Sequence, residues 1–580
     1  MANWDLTDIF KTKKLYYEAI ETCLENVDKL CSYQTIVVTN INEFLELYEI
    51  VMNDLSDIVC YGTMNYHLDM SANDTIKDYL KSQNIESEIK EKLSWFIPEI
   101  VCANKSEVLN GISDENREKY THFIEKIFDN QEHVLSPVEE KIIVSLEKIR
   151  EDIVNTYDAL MVSDRKGVDI KIGNKLVQVN SSNYNKLLSE LEEQADREKV
   201  FTTYYQYFED HSNTVANMYN TILSINSRIA KFHGYKSSLD AKLNSEKIPV
   251  EVYKSLIRNV KKNCIELQSF LKYREKELGL EQIHTYDRLR KVYSTDKQYT
   301  YESGLKLCFE AAKGANDDYF NLIKTVLQDG WVDVYPKNNK RGGAYSWRTN
   351  NSHPYILHNY DETLNSVYTL MHEAGHSVHS YLSDKYQSPI NSNYSIYVAE
   401  VASTFAECLL TDYLLANEED ENLKKTLVEE NILRIISTLY RQTLFAEFEY
   451  IVHELVDNGQ VLTKDTLNQV MQELYFDYYG INLETEALKK YVWMYIGHLY
   501  FAPFYVYQYA TCITASFQIY DKYCRSKEEG LAMLYGILKQ GGSDYPNNIL
   551  LDVGIDLTKD ETYSGVFNYL KKQVEILVNI

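Results

Sequence analysis

The run His372-Glu373-Ala374-Gly375-His376 has a chemistry that works only if the chain there is an α-helix. Residues four apart on a helix share a face, about 6 Å apart along its axis, so both imidazoles can reach one tetrahedral ion. The preceding run Val367-Tyr368-Thr369-Leu370-Met371 is apolar and helix-compatible. Glu373 then lies beside the ion rather than on it. A carboxylate there can take a proton from an attacking water and hand it to a leaving amine, the general-base role of a metalloprotease. The rest of the chain favours the same secondary structure. Only 21 glycines and 8 prolines occur in 580 residues, so long uninterrupted helices are expected rather than a turn-rich β architecture.

A catalytic zinc keeps three protein ligands and one open position. The extended pattern H-E-x-x-H-x-x-G-x-x-H fails, because His379 stands at its glycine position and Leu382 at its final histidine. A glutamate therefore becomes the expected third ligand, and the helical segment from Tyr397 to Glu407 offers Glu400 and Glu407. Seven residues apart, they share a face. We expect Glu400 to bind the ion and Glu407 to accept a hydrogen bond from a ligand imidazole. His379 shares a face with His372, but about 10 Å of rise keeps both from one ion. It is expected to act as a hydrogen-bonded support.

With those residues placed, the chain resembles the thimet-oligopeptidase-like zinc peptidases, and within them the oligoendopeptidase F branch. Four stretches carry the resemblance: Trp4 to Phe10, Arg341 to Ser346, the HEAGH run with Glu400 to Glu407, and Pro503 to Thr511. The resemblance implies one zinc per chain, with Glu400 beside His372 and His376. It implies two helical lobes enclosing a deep cleft that admits short peptides and excludes folded proteins. It also implies that a histidine and tyrosines near the end contact the scissile carbonyl. His498 and Tyr507 match those roles, with Tyr505 as neighbour and Tyr500 as alternative donor. A phenol or imidazole proton aimed at a developing oxyanion is worth about 2.7–4 kcal/mol of barrier.

The formal net charge of −26 argues against duplex nucleic acid as a partner. Nine cysteines lie without paired spacing, which suits free thiols in a reducing compartment. The first residues lack a basic region followed by an apolar stretch, so no signal peptide is expected and the cytoplasm is the expected location. From Tyr491 to Tyr520 no charged residue occurs, a length that could span a bilayer. Yet His498, Pro503, Gln508 and many tyrosines need polar partners that lipid cannot supply, so no membrane is expected.

Helical periodicity runs from Leu15 to Tyr157, giving an expected N-terminal helical domain over 1–185 and a catalytic domain over 186–580. A hairpin is expected from Val168 to Val179 around Gly173-Asn174, then a helix over Arg197 to Phe232 and another opening near Val250. A small β region, Trp331 to Tyr335 and Tyr355 to His358, should sit beside the zinc helix. Tyr355 to Asn359 is expected to offer an exposed strand edge to an extended peptide. The glycines of Lys340 to Tyr345 would let that loop approach a peptide or hinge over it.

The expectation is thus a mainly α zinc endopeptidase acting on short peptides. A zinc carboxypeptidase or dipeptidase, and a non-catalytic peptide-binding protein on the same scaffold, are the alternatives. An intact Glu373 speaks against the last.

Overall fold

Low glycine and proline content is expressed as helix. In the computed structural model, which describes residues 3–579, 71% of the chain is helical and strands are few and short. The longest helix, Gln194–Phe232, shows why: Val200, Tyr204, Phe208, Val215 and Tyr219 recur at helical steps and are all buried. At 39 residues it is roughly 58 Å long. A further helix, Val250–Lys262, begins directly after Pro249.

The chain divides into two compact units made of interleaved segments. One comprises Met1–Glu132, Asp296–Asn417 and Ile519–Ile555; the other His133–Thr295, Glu418–Gln518 and Asp556–Ile580. The boundary expected at 185/186 falls inside an unbroken segment of the second unit. Local periodicity shows which residues are helical, whereas the units are set by packing between residues distant in sequence.

The first unit has a core of Tyr16, Ile20, Phe44, Leu55, Ile85, Phe96 and Tyr120, much of it presented by the helix Ile41–Leu68. It also holds a three-stranded sheet of β3 (Val332–Asp333), β4 (Tyr345–Arg348) and β5 (Pro354–Leu357). The spatial order is β3-β5-β4, with β5 parallel to β3 and antiparallel to β4. β5 is therefore the central strand, and Tyr355, Ile356 and Leu357 are fully buried. This corrects the expectation of an exposed edge at Tyr355 to Asn359. An apolar run with no alternation marks a strand covered on both faces. Trp4, Leu6, Cys60 and Met64 pack with Tyr355 and Leu357, so the Trp4 to Phe10 stretch closes one face of this sheet.

The loop before β4 is also anchored. Lys340 is buried and pairs with Asp333 at 2.6 Å, and Asn359 donates to the carbonyls of Arg341 and Gly343 at 2.9 and 2.7 Å. Gly343 is required for its positive φ of 80°.

The second unit carries the expected hairpin, β1 (Val168–Ile172) and β2 (Lys175–Val179), antiparallel with Ile172 opposite Lys175. The charge-free stretch from Tyr491 is broken into a 3-10 helix Ala487–Tyr495, a short helix His498–Phe501, and the start of the helix Tyr507–Arg525. Among the described residues no helix is long and apolar enough to cross a membrane. All nine cysteines are free.

Candidate metal and active site

The motif lies within the helix Leu364–Tyr386, whose first turn is capped by Thr363, its hydroxyl accepting from the Ser366 amide at 3.2 Å. Against it packs the helix Ile396–Asn417. Gly375 sets how close the two come. A Cβ there would lie 2.6 Å from the Ser403 Cα and 2.7 Å from the Ala402 carbonyl oxygen. The small residues Ala399, Ala402 and Ser403 and the motif's glycine thus let the backbones approach, which brings Glu400 to the two histidines.

Three donor atoms converge. The Nε2 atoms of His372 and His376 are 3.1 Å apart, and Glu400 Oε2 lies 3.4 Å from the first and 3.3 Å from the second. Tetrahedral ligands at zinc–donor distances of about 2.0–2.2 Å would stand roughly 3.3–3.6 Å apart, so this triangle fits such an ion. Protonation argues the same way. Glu407 Oε1 accepts from His372 Nδ1 at 2.6 Å, which leaves Nε2 as the ring nitrogen facing the other two donors. Two nitrogens and a carboxylate oxygen this close call for a cation between them. All three side chains are partly exposed, 17–27%, leaving the site open on one side.

The electrostatics follow from burial and neighbours. Burial opposes the charged form of His372, but the Glu407 hydrogen bond and the charges of Glu407, Glu400 and Glu373 outweigh it, pushing its pKa up to about 9 in the metal-free chain. Burial also opposes ionisation of Glu400, yet His376 and His372 hold its carboxyl well below the usual range. Ser403 Oγ donates to Glu400 Oε2 at 2.8 Å and fixes that oxygen. Glu373 is 7% exposed and outside the triangle; burial raises its carboxyl, and the two histidines only partly offset this. A carboxylate so tuned is suited to accept a proton and give it back. His379 is fully buried and stacks on Tyr394 with ring centroids 3.6 Å apart, so its support of the helix is a ring contact.

β4 is tied to the motif helix. Ser346 Oγ bonds Ser377 Oγ at 2.8 Å, and Arg348 pairs with Asp384. Its residues are half-buried, and among the described residues no strand pairs with its far edge. The open edge expected at β5 therefore belongs to β4.

The remaining expected residues lie in the second unit. The half-buried rings of His498, Tyr505 and Tyr509 gather there: His498 stacks on Tyr505 at 5.4 Å, Tyr509 meets His498 edge-on at 6.3 Å, and Tyr505 meets Tyr509 at 5.5 Å. Tyr507 faces the other way, 1% exposed, against Tyr253 at 4.9 Å. Tyr500 is fully buried and stacks on Tyr157 at 3.8 Å. Sequence reasoning passed over Tyr509. The signal was present, since at a helix start residues 505 and 509 share a side that 507 does not.

The pattern of Peptidase family M3 matches residues 187–568, and that described as Oligopeptidase F matches 99–166. An oligoendopeptidase F homologue of Borreliella burgdorferi is 32% identical over 100% of this chain and 98% of its own. Oligopeptidase PepF of Bacillus subtilis is 30% identical over 99% of this chain and 86% of its own. Among solved structures, a peptidase of Chlamydophila abortus superposes with a TM-score of 0.88 at 28% identity, covering 100% of this chain and 98% of that one. Oligoendopeptidase F of Enterococcus faecium shares the fold, with a TM-score of 0.73 at 24% identity over 98% and 99% of the two chains.

Proposed function

From the membership of this chain in peptidase family M3, which makes it a metallopeptidase acting on oligopeptides, we propose that it is a zinc endopeptidase cleaving internal bonds of short peptides. The observation that carries the metal assignment is the 3.1–3.4 Å triangle of two imidazoles and one carboxylate, a donor set that suits zinc. His372, His376 and Glu400 would hold the ion, with Glu407 fixing the His372 tautomer. Zinc, when bound, supplies Lewis-acid polarisation of a carbonyl and of water.

The chain's own groups do the rest. Glu373 takes the proton of the attacking water on its carboxylate and delivers it to the nitrogen of the leaving amine as the peptide C–N bond breaks. Its raised pKa supports both transfers. For His498 we keep the role that the family resemblance implies, hydrogen-bond donor to the scissile carbonyl. Burial lowers its pKa, so the ring is neutral at pH 7 and donates an N–H. Tyr507 was the expected partner. Its burial against Tyr253 favours Tyr505, with Tyr509 beside it, as the phenol that reaches substrate.

Backbone pairing of an extended peptide along the free edge of β4 would leave many side chains acceptable. Ser346 on that strand bonds the motif helix one residue beyond His376, so the pairing would run next to the metal ligands.

The test is mass spectrometry of a mixed peptide pool incubated with the protein, with and without a zinc chelator. Internal fragments that disappear on chelation and return with zinc are expected. Release of single terminal residues would instead point to a carboxypeptidase, and an unchanged pool to a non-catalytic peptide binder.

A further inference from the structure

A second charged cluster, within the second unit, takes no part in this chemistry. Arg288, Arg441 and Lys489 line one small cavity together with Tyr184, Tyr205 and Tyr495. Arg441 opens the helix Arg441–Asp457, Lys489 sits in the 3-10 helix Ala487–Tyr495, and Arg288 directly follows the 3-10 turn Thr285–Asp287. Three separate segments thus bring three cations to one place.

Among the described residues no carboxylate lies within ion-pair distance of any of the three. The two nearby acids are engaged elsewhere: Asp287 pairs with Arg197 at 2.8 Å, and Glu486 accepts from the Thr285 amide at 3.0 Å and from His284 at 3.3 Å. The Arg441 guanidinium lies over the Phe445 ring at 5.2 Å rather than against an acid. Lys489, 7% exposed, donates only to the Tyr205 hydroxyl, at 2.9 Å. Burial, with Arg288 and Arg441 beside it, holds this ammonium well below the usual lysine range. Burial and Arg441 likewise lower Arg288. Lys489 is buried and Arg288 and Arg441 are half-buried, and clustered cations of one sign are unfavourable without a counter-charge. In a chain with net charge −26, their collection in one place is not a consequence of composition.

We propose that this cavity is a binding site for a small monovalent anion of the size of chloride. The cavity volume of about 10 Å³ is room for a single water-sized occupant, too little for a sulfate, phosphate or peptide carboxyl group. Two guanidinium groups and an ammonium supply charged donors around it. Tyr205 accepts from Lys489 and so keeps its own phenol proton to donate. The anion would act as the missing counter-charge that joins the segments bearing Arg288, Arg441 and Lys489.

The test uses the full-length, metal-loaded protein exchanged into gluconate, an anion too bulky for the cavity, at constant ionic strength so that general screening is fixed. Chloride, bromide and sulfate are then titrated while Tm is followed. Chloride and bromide are expected to give a saturable rise on the order of 2 °C, as for a ligand that binds only the folded chain. Sulfate should give none. Lys489→Met and Arg441→Gln should each lose the saturable rise. Equal shifts for all three anions, or an unchanged response in both variants, would overturn the proposal. Crystals of the unaltered protein soaked in bromide give a measurement independent of how the variants fold. An anomalous peak within hydrogen-bond reach of Arg288, Arg441 and Lys489 is expected, and peaks only elsewhere would refute the site.

Discussion

The metal triangle of the first unit and the ring cluster of the second are both built from half-buried side chains, yet they are held by different forces. His372 donates to Glu407 and Glu400 accepts from Ser403, charge-assisted hydrogen bonds that fix both as a cation requires of its ligands. His498, Tyr505 and Tyr509 pack through ring contacts, which gather neutral N–H and O–H groups rather than charges. Loss of one member should therefore have unlike consequences. In the triangle it should release metal; in the ring cluster it should slow turnover with the metal in place.

The largest effect is expected at Glu373, which belongs to neither set of contacts. Glu373→Gln keeps the shape and loses the proton acceptor, so kcat at saturating peptide should fall by about 10²–10⁴-fold. Near-normal turnover would mean that another base acts.

Next comes the ring cluster. Tyr505→Phe should lower kcat by about 10²–10³-fold with little change in KM, as expected for a hydrogen bond made in the transition state. Tyr507→Phe should leave kcat nearly unchanged. The reverse ranking would return the donor role to Tyr507 and break the distinction drawn from burial.

A smaller effect is expected one layer out. Glu407→Gln should weaken zinc affinity by about 10–100-fold in a competition assay with a chromogenic chelator. Equal affinity in the variant would show that the short Glu407–His372 bond does not hold the ligand.

The smallest effect concerns the turn that carries Tyr505. Glu449, fully buried, accepts from the Phe504 amide at 2.6 Å, and Phe504 has a left-handed φ of 53°. Burial pushes the Glu449 carboxyl up to about 8, far above its value in the unfolded chain. The folded chain therefore keeps a proton that the unfolded chain loses above about pH 4.3. The resulting stabilisation is fully present below that pH and declines as pH rises toward about 8. Glu449→Gln should flatten this decline in Tm between pH 5 and 8; an unchanged slope would exclude Glu449 as its source.

These outcomes rest on features that differed in how far sequence revealed them. The motif helix, Glu400, the Glu407 hydrogen bond and the β1–β2 hairpin follow from local spacing, because helical and strand periods fix which residues share a face. The order β3-β5-β4 did not, since a buried apolar run such as Tyr355-Ile356-Leu357 states that a strand is covered but not by which partners. The division into interleaved units depends on packing of distant segments. The resemblance implies Tyr507, but the stretch from Tyr505 to Tyr509 presents three tyrosines at alternate positions, and only the start of the helix at Tyr507 separates their faces. The cluster of Arg288, Arg441 and Lys489 left no sequence signal, its members lying far apart in the chain.

The central claim is that His372, His376 and Glu400 bind the metal while Glu373 works beside it. Zinc content, measured by elemental analysis on the wild type, Glu373→Gln and Glu400→Ala after identical loading and desalting, tests it most directly. The account predicts about one zinc per chain for the first two and a near-complete loss for the third. Stoichiometric zinc in Glu400→Ala, or its loss from Glu373→Gln, would contradict it.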